Sequence, residues 1–331
     1  DVTGGYIFKL DKQDPDEDFW VSPYASKDGN EIRIIYEYPK TRDIVEEQKA
    51  YIRNFVTEFE HALAGDNFHD PLQGYKPYID MQSFIDFFLV NELAKNVDGY
   101  RISTFLHKDK DKLDRVSPIK AGPVWDFNFG FGNADYYGAS LAEGWQCEKE
   151  LPNDYWSNPF WWNKLRRDPA FFNQLVSSWK DYRSGILSDV RINYVIDSLT
   201  TLLSDAQVRN FAQWPVLNQY VWANNYVGGS YENEINYLWN WIFDRMSWMD
   251  SKLDGYMYPL STEMQRGLEA LDLHIFPNPV DEQFHMALRM DRDAELRIEV
   301  VNLLGQTTYR ENKFLPQGPQ MLQFNSDVVS R

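Results

Sequence analysis

The stretch AGPVWDFNFGFGN, residues 121–133, decides how this chain is read. It is an aromatic, apolar run that any core would accept, yet Asp126 stands in its middle with Asn128 two residues on. Gly122, Gly130 and Gly132 interrupt it. Burying a lone carboxylate between Trp125 and Phe127 is costly unless a cation balances it. The position therefore asks for a partner.

A second acid lies upstream. NELAKNVDGYRIST, residues 91–104, places Asp98 beside Gly99, just past a strongly apolar helix, MQSFIDFFLVNELAKN, that Asp80 caps. RISTFLHK and VSPIKAGPVWDF then read as two strands around the charged turn KDKDKLD, residues 108–114. That turn lacks the glycine and distal glutamate of a calcium loop and reads as a solvated connection. Asp98 and Asp126, 28 residues apart, thus stand at the two ends of a hairpin that returns both to one cleft. One acid can take a proton from a hydroxyl nucleophile while the other holds a divalent cation. The same pattern also suits a helix-end turn residue and a paired core acid, and spacing alone does not choose.

Outward from the hairpin, the first 40 residues read as strands and turns, with EIRIIYEYP alternating up to Pro39. Ile52, Phe55, Val56, Phe59 and Leu63 mark one face of a helix that Gly65 can end. A loop rich in Gly, Asn and Tyr spans about 130 to 158, and residues 159–253 read as helical. Asp168-Pro169, Ser188 and Ser230 open three helices there. The Trp and Met residues of the last one read as core. After Tyr258 a polar linker, 259–273, leads into an alternating segment with turns about every ten residues, a small β-sandwich over 274–331. The fold class expected is α+β, mainly helical over residues 1–258 with a short β-hairpin, followed by that β-module.

Composition narrows the functions. The formal charge of −17 excludes wrapping a nucleic-acid backbone. No run of 18 apolar residues is present to span a membrane. A single cysteine, Cys147, rules out an internal disulfide and leaves the redox compartment open. The five histidines show no zinc-ligand spacing.

GGYIFKLD, NELAKNVDGYRIST and GPVWDFNFGFGN together resemble the CotH family, the spore-coat protein H-like kinases with an atypical protein-kinase fold; the likeness runs over about residues 1–253. It implies an atypical kinase-like C-lobe. In the family's N-x-D-x-Y motif the acid matches the kinase catalytic-loop acid, here Asp98; the acid of W-D-F/Y-D matches the kinase metal-binding acid, here Asp126. The resemblance implies Mg²⁺ with ATP, held by Asp126 and Asn128, and phosphoryl transfer to Ser or Thr of a protein substrate. Two positions depart from it. Asn128 replaces a frequent Asp, and Ser103 stands where ordinary kinases place a second metal-binding Asn. Ser103, Asp126 and Asn128 are the candidate cofactor contacts. GGYIF lacks the spacing of a phosphate loop and Lys9 reads as a strand-edge lysine. Most of an N-lobe is therefore expected to be missing, and the chain alone to be inactive or nearly so.

IFPNPVDEQFHMAL and LRIEVVNLLGQTTYR resemble the C-terminal sorting domain of type IX secretion substrates, here without its last strands. This implies the type IX machinery as a partner and a secreted or cell-surface location. Two other functions remain open: a pseudokinase, favoured by Ser103 and Asn128, and a surface carbohydrate- or protein-binding module using Trp145, Trp156, Trp161 and Trp162 to stack on sugars.

Overall fold

Strand and helix signals alternate early and give way to helices, and the computed structural model arranges them as a mixed α/β unit. It describes residues 2–26, 28–151, 154–253, 274–276, 283–290, 293–301 and 307–325. The chain divides into two compact units, Asp1–Tyr258 and Pro259–Arg331.

In the first unit, β1 (Tyr6–Leu10), β2 (Phe19–Val21), β3 (Arg33–Tyr38), β4 (Thr104–Lys108) and β5 (Ile119–Ala121) form one antiparallel sheet in the order β2-β3-β1-β4-β5. The β4–β5 hairpin is thus not isolated: β4 also pairs along β1, from Tyr6↔Lys108 to Leu10↔Thr104. This makes β1 central and corrects the reading of Lys9 as a strand-edge residue. Lys9 is buried, and its ammonium lies 2.7 Å from Glu17 and 3.0 Å from Glu37. Lys108 is likewise buried rather than solvated; it pairs with Asp111 at 2.5 Å and lies over the rings of Tyr51 and Phe55.

Six helices are described in this unit: α1 (Glu46–Ala64), α2 (Met81–Ala94), α3 (Trp161–Leu165), α4 (Pro169–Ser184), α5 (Asp189–Gln213) and α6 (Tyr231–Leu253). Their starts follow local side-chain chemistry. Asp80, Asp168 and Ser188 accept from the backbone N–H of Ser83, Ala170 and Arg191. α2 is apolar on nearly every side and buries nine of its residues, so it runs through the middle of the unit. Phe84, Phe87, Trp161, Trp162, Trp179 and Met246 join its core, whereas α5 contains no buried residue.

The second unit pairs β6 (His274–Phe276), β7 (Gln283–Met290) and β10 (Gly318–Asn325) in one sheet, and β8 (Ala294–Val301) with β9 (Thr307–Leu315) in another. Leu288, Met290, Ile298, Leu315, Leu322 and Phe324 from both sheets share one apolar cluster. The PNP turn at 277–279, most of VNLLGQ, and the side chains of Ile275 and Phe276 lie outside the described residues.

One core acid gives the first unit a testable pH response. Glu60 on α1 is fully buried; its Oε1 accepts from Ser22 Oγ (2.7 Å) and Trp161 Nε1 (2.9 Å). Its Oε2 has no protein partner among the described residues. Burial outweighs those two hydrogen bonds and raises its pKa from 4.5 to about 7. The fold therefore holds this proton more tightly than the unfolded chain does. The contribution is complete below pH 4.5 and is lost as pH rises through 7. Between these limits the wild type should lose on the order of 3 kcal/mol relative to Glu60→Gln, read from denaturant unfolding at each pH. Parallel pH profiles would contradict it.

Candidate active site

The end of α2 sets the first acid. Lys95 caps the helix in the left-handed region, and the chain turns at once through Asn96 and Val97 to Asp98. Asn96 Oδ1 accepts from the Asp98 N–H at 3.3 Å, and the Asp98 carbonyl accepts from the N–H groups of Arg101 and Ile102. Only glycine fits next. A Cβ on Gly99 would stand 2.4 Å from Asn91 Oδ1, which explains the D-G step in the motif. Tyr100 is buried behind it and donates its hydroxyl to Glu92 Oε1 at 3.0 Å.

Asp98 itself is buried, 7% exposed, and is gripped by Arg101. The Arg101 Nη2–Asp98 Oδ1 distance is 2.8 Å; the same guanidinium reaches Asp154 at 2.8 Å and the carbonyl of Val97 at 3.0 Å. Burial raises the Asp98 pKa; the charges of Arg101 and Lys12 pull it back, while that of Asp126 pushes it further up. Asp126 is therefore an electrostatic neighbour of Asp98, and the carboxyl that feels it binds a proton more readily than a free aspartate.

The second acid follows β5. Gly122 donates its N–H to the Phe105 carbonyl at 2.9 Å, closing the open end of the hairpin, and four residues later the backbone turns left-handed at Asp126, φ 62°. Ser103, φ 50°, faces it from just ahead of β4, with its Oγ 3.5 Å from Asp126 Oδ2. Two non-glycine residues with positive φ at one point mark a strained, over-determined junction, common at functional sites. Asn96 Nδ2 approaches the Asp126 carbonyl at 3.5 Å, so the two acid-bearing turns touch.

The structure corrects the expectation that Asp126 is enclosed. Asp126 and Asn128 are exposed, and so are Val124 (52%) and Trp125 (63%). The apolar run is a turn over the end of the hairpin, not a strand through the core. Downstream it is fastened again: the Phe131 N–H donates to the Ala94 carbonyl at 2.6 Å. Gly132, φ 75°, packs so closely on Trp241 that a Cβ would meet the ring at 2.4 Å. Among the described residues Asp126 makes no ion pair, so it is not a paired core acid either.

The residues that could hold a hard cation are thus Asp126 and Asn128, with Ser103 beside them. No group of three or more His, Cys, Asp or Glu residues is gathered for a metal among the described residues. This donor set suits Mg²⁺, which takes one or two carboxylates and completes its shell with water and phosphate oxygens. Arg101, the partner of Asp98, also lines a cavity of about 200 Å³ with Asp11, Gln13, Arg33, Tyr155 and Trp156, among others.

A family model described as CotH kinase protein matches residues 3–249. The chain belongs to this family. Comparison with curated proteins and with solved structures returned no match. The CotH match covers the five-stranded sheet, α1 to α5 and most of α6, and so includes both acid-bearing turns. Arg101 and Asp154 were not singled out from sequence; an Arg three residues after Asp98 was a visible signal, but nothing local announced Asp154. Trp161 and Trp162 are each 1% exposed, which removes them as a sugar-stacking surface. Trp145 packs on Phe88 and Trp248.

Neutralising the cation that holds Asp98 and neutralising Asp126 should have contrasting effects on stability. Arg101→Met leaves the buried Asp98 and the half-buried Asp154 without their cation and should cost the first unit roughly 3–5 kcal/mol. Asp126→Asn removes an exposed, unpaired charge and should change stability by less than about 0.5 kcal/mol. Urea unfolding of both variants in metal-free buffer checks the contrast. A large loss in Asp126→Asn would restore the core-acid reading.

Proposed function

We propose that this CotH-family chain carries the acid-bearing, C-lobe-like half of an ATP-dependent protein kinase acting on Ser or Thr. The observation that supports it most is the division of labour at the open end of the β4–β5 hairpin. Asp98 is buried, held by Arg101 and made more basic, while Asp126 is exposed, turned outward and, among the described residues, without an ion pair. A base needs the first environment and a metal ligand the second.

In this reading the substrate hydroxyl is oriented by the Asp98 carboxylate. Its oxygen forms the bond to the γ-phosphorus as its proton passes to Asp98, and the bond to the bridging oxygen breaks, so that ADP leaves with the electron pair. Asp126 and Asn128 would hold Mg²⁺, which when bound neutralises charge on the β- and γ-phosphates. Arg101 fixes the Asp98 carboxylate and limits how far its pKa rises. Ser103 keeps the Asp126 side chain on the hairpin side and offers a weak oxygen ligand.

The β-rich residues 274–331 are proposed as a sandwich-type sorting module read by type IX secretion machinery, which would place the protein outside the cytoplasm. The apolar cluster shared by its two sheets supports a self-contained module. A pseudokinase is the competing reading of the first unit, favoured by Ser103 and Asn128. The sequence shows no phosphate loop, and the 331-residue chain by itself is proposed to transfer little or no phosphoryl.

The test uses this chain together with any kinase N-lobe sequence that precedes it. Mg²⁺ with ATP should raise its unfolding temperature by preferential binding to the native state. Asp126→Asn should remove most of that rise, whereas Asp98→Asn should keep it and abolish transfer of labelled γ-phosphate to protein. Binding without any transfer by the wild type would favour the pseudokinase; no binding at all would sink both.

A further inference from the structure

Lys95 lies three residues before Asp98, in the left-handed conformation (φ 44°, ψ 48°) that ends α2. Its side chain turns towards the loop that follows Asp126 and Asn128. The ammonium donates to the backbone carbonyls of Gly138 (3.0 Å), Leu141 (2.7 Å) and Glu143. All three of its hydrogens are therefore spent on one short stretch of main chain. Lys95 is 5% exposed and makes no ion pair among the described residues. Converging carbonyl dipoles repel one another, so this loop is shaped around a positive charge.

The loop bears directly on the acid. Ala139 and Ala134 pack against Val97, and all three are fully buried; Val97 immediately precedes Asp98 and its carbonyl holds Arg101. Trp241 and Arg245 also hold the loop, through the carbonyls of Ser140, Ala142 and Gly144. Lys95 ties the carbonyls of Gly138, Leu141 and Glu143 to the end of α2, just ahead of Asp98.

We propose that Lys95 is a positioning residue whose ammonium pins residues 138–143 to the end of α2, and that loss of its proton releases this loop and loosens the seat of Asp98. The pin stands on geometry; its consequence for phosphoryl transfer rests on the kinase reading above. The charged groups around it set when it opens. Burial lowers the Lys95 pKa to about 8, helped by Arg245 on α6 and Lys149 past the loop and opposed by Glu92 on α2 and Glu143 on the loop itself.

Hydrogen exchange of the 331-residue chain, corrected for intrinsic rates, tests the pin without any activity. In the wild type, protection of residues 138–143 should fall about tenfold from pH 6.5 to pH 9, while α2 stays protected. Lys95→Met should show low protection at both pH values. Lys95→Arg, charged throughout, should hold its protection across the range. Wild-type protection that does not change with pH, or a Met variant as protected as wild type, would overturn the proposal. If the Met variant does not fold, the wild-type profile still decides. Should the protein in the test of the kinase reading fail to bind Mg²⁺ with ATP while the exchange profile holds, the kinase reading fails and the pin survives.

Discussion

The buried Glu92–Arg245 pair is the constraint on which the rest of the first unit depends. Both residues are fully buried, with Nη2 and Oε2 3.1 Å apart. An ion pair this deep survives only if its remaining donors and acceptors are largely met. Here both carboxylate oxygens and four of the five guanidinium N–H groups have partners. Glu92 accepts from Tyr100 Oη and from the N–H groups of Gln146 and Cys147. Arg245 donates to the carbonyls of Glu92, Ala142 and Gly144. One network thereby fixes α2 to α6, the D-G-Y turn to α2, and the loop at 142–147 to both. Asp98 is placed by residues on either side that this network holds.

The site inherits its asymmetry from that frame. Residues before β4 are tied inward through Tyr100 and Arg101, so Asp98 is pressed into the protein and must be paired. Residues after β5 leave a completed sheet edge, and the next firm anchor is Phe131 on Ala94. Between these anchors Asp126 turns outward. The same hairpin thus ends in one desolvated and one solvated carboxylate, two environments that push two acids toward different work.

How much of this was legible in the sequence follows from distance along the chain. Asp80, Asp168 and Ser188 were readable as helix caps because capping is a contact over two or three residues. The hairpin and its two acids were readable because strand patterns and a charged turn are local too. The exposure of Asp126 was not, since Trp125 and Phe127 suggest burial by composition, and only the turn at φ 62° shows that the run leaves the core. Lys9 was misplaced for a related reason: its neighbours across the sheet include β4, almost a hundred residues away. Arg245 as the partner of Glu92, 153 residues distant, carried no sequence-level mark at all.

The central claim is that Asp98 and Asp126 form one electrostatic site, and the titration of the Asp98 carboxyl tests it most directly. Carbon-13 NMR of that carboxyl in the metal-free 331-residue chain should show a pKa above the ordinary aspartate value. In Asp126→Asn, with the neighbouring charge gone, it should move down. An Asp98 pKa that is the same in both proteins would mean that the two acids do not face one another, and the shared site would be wrong.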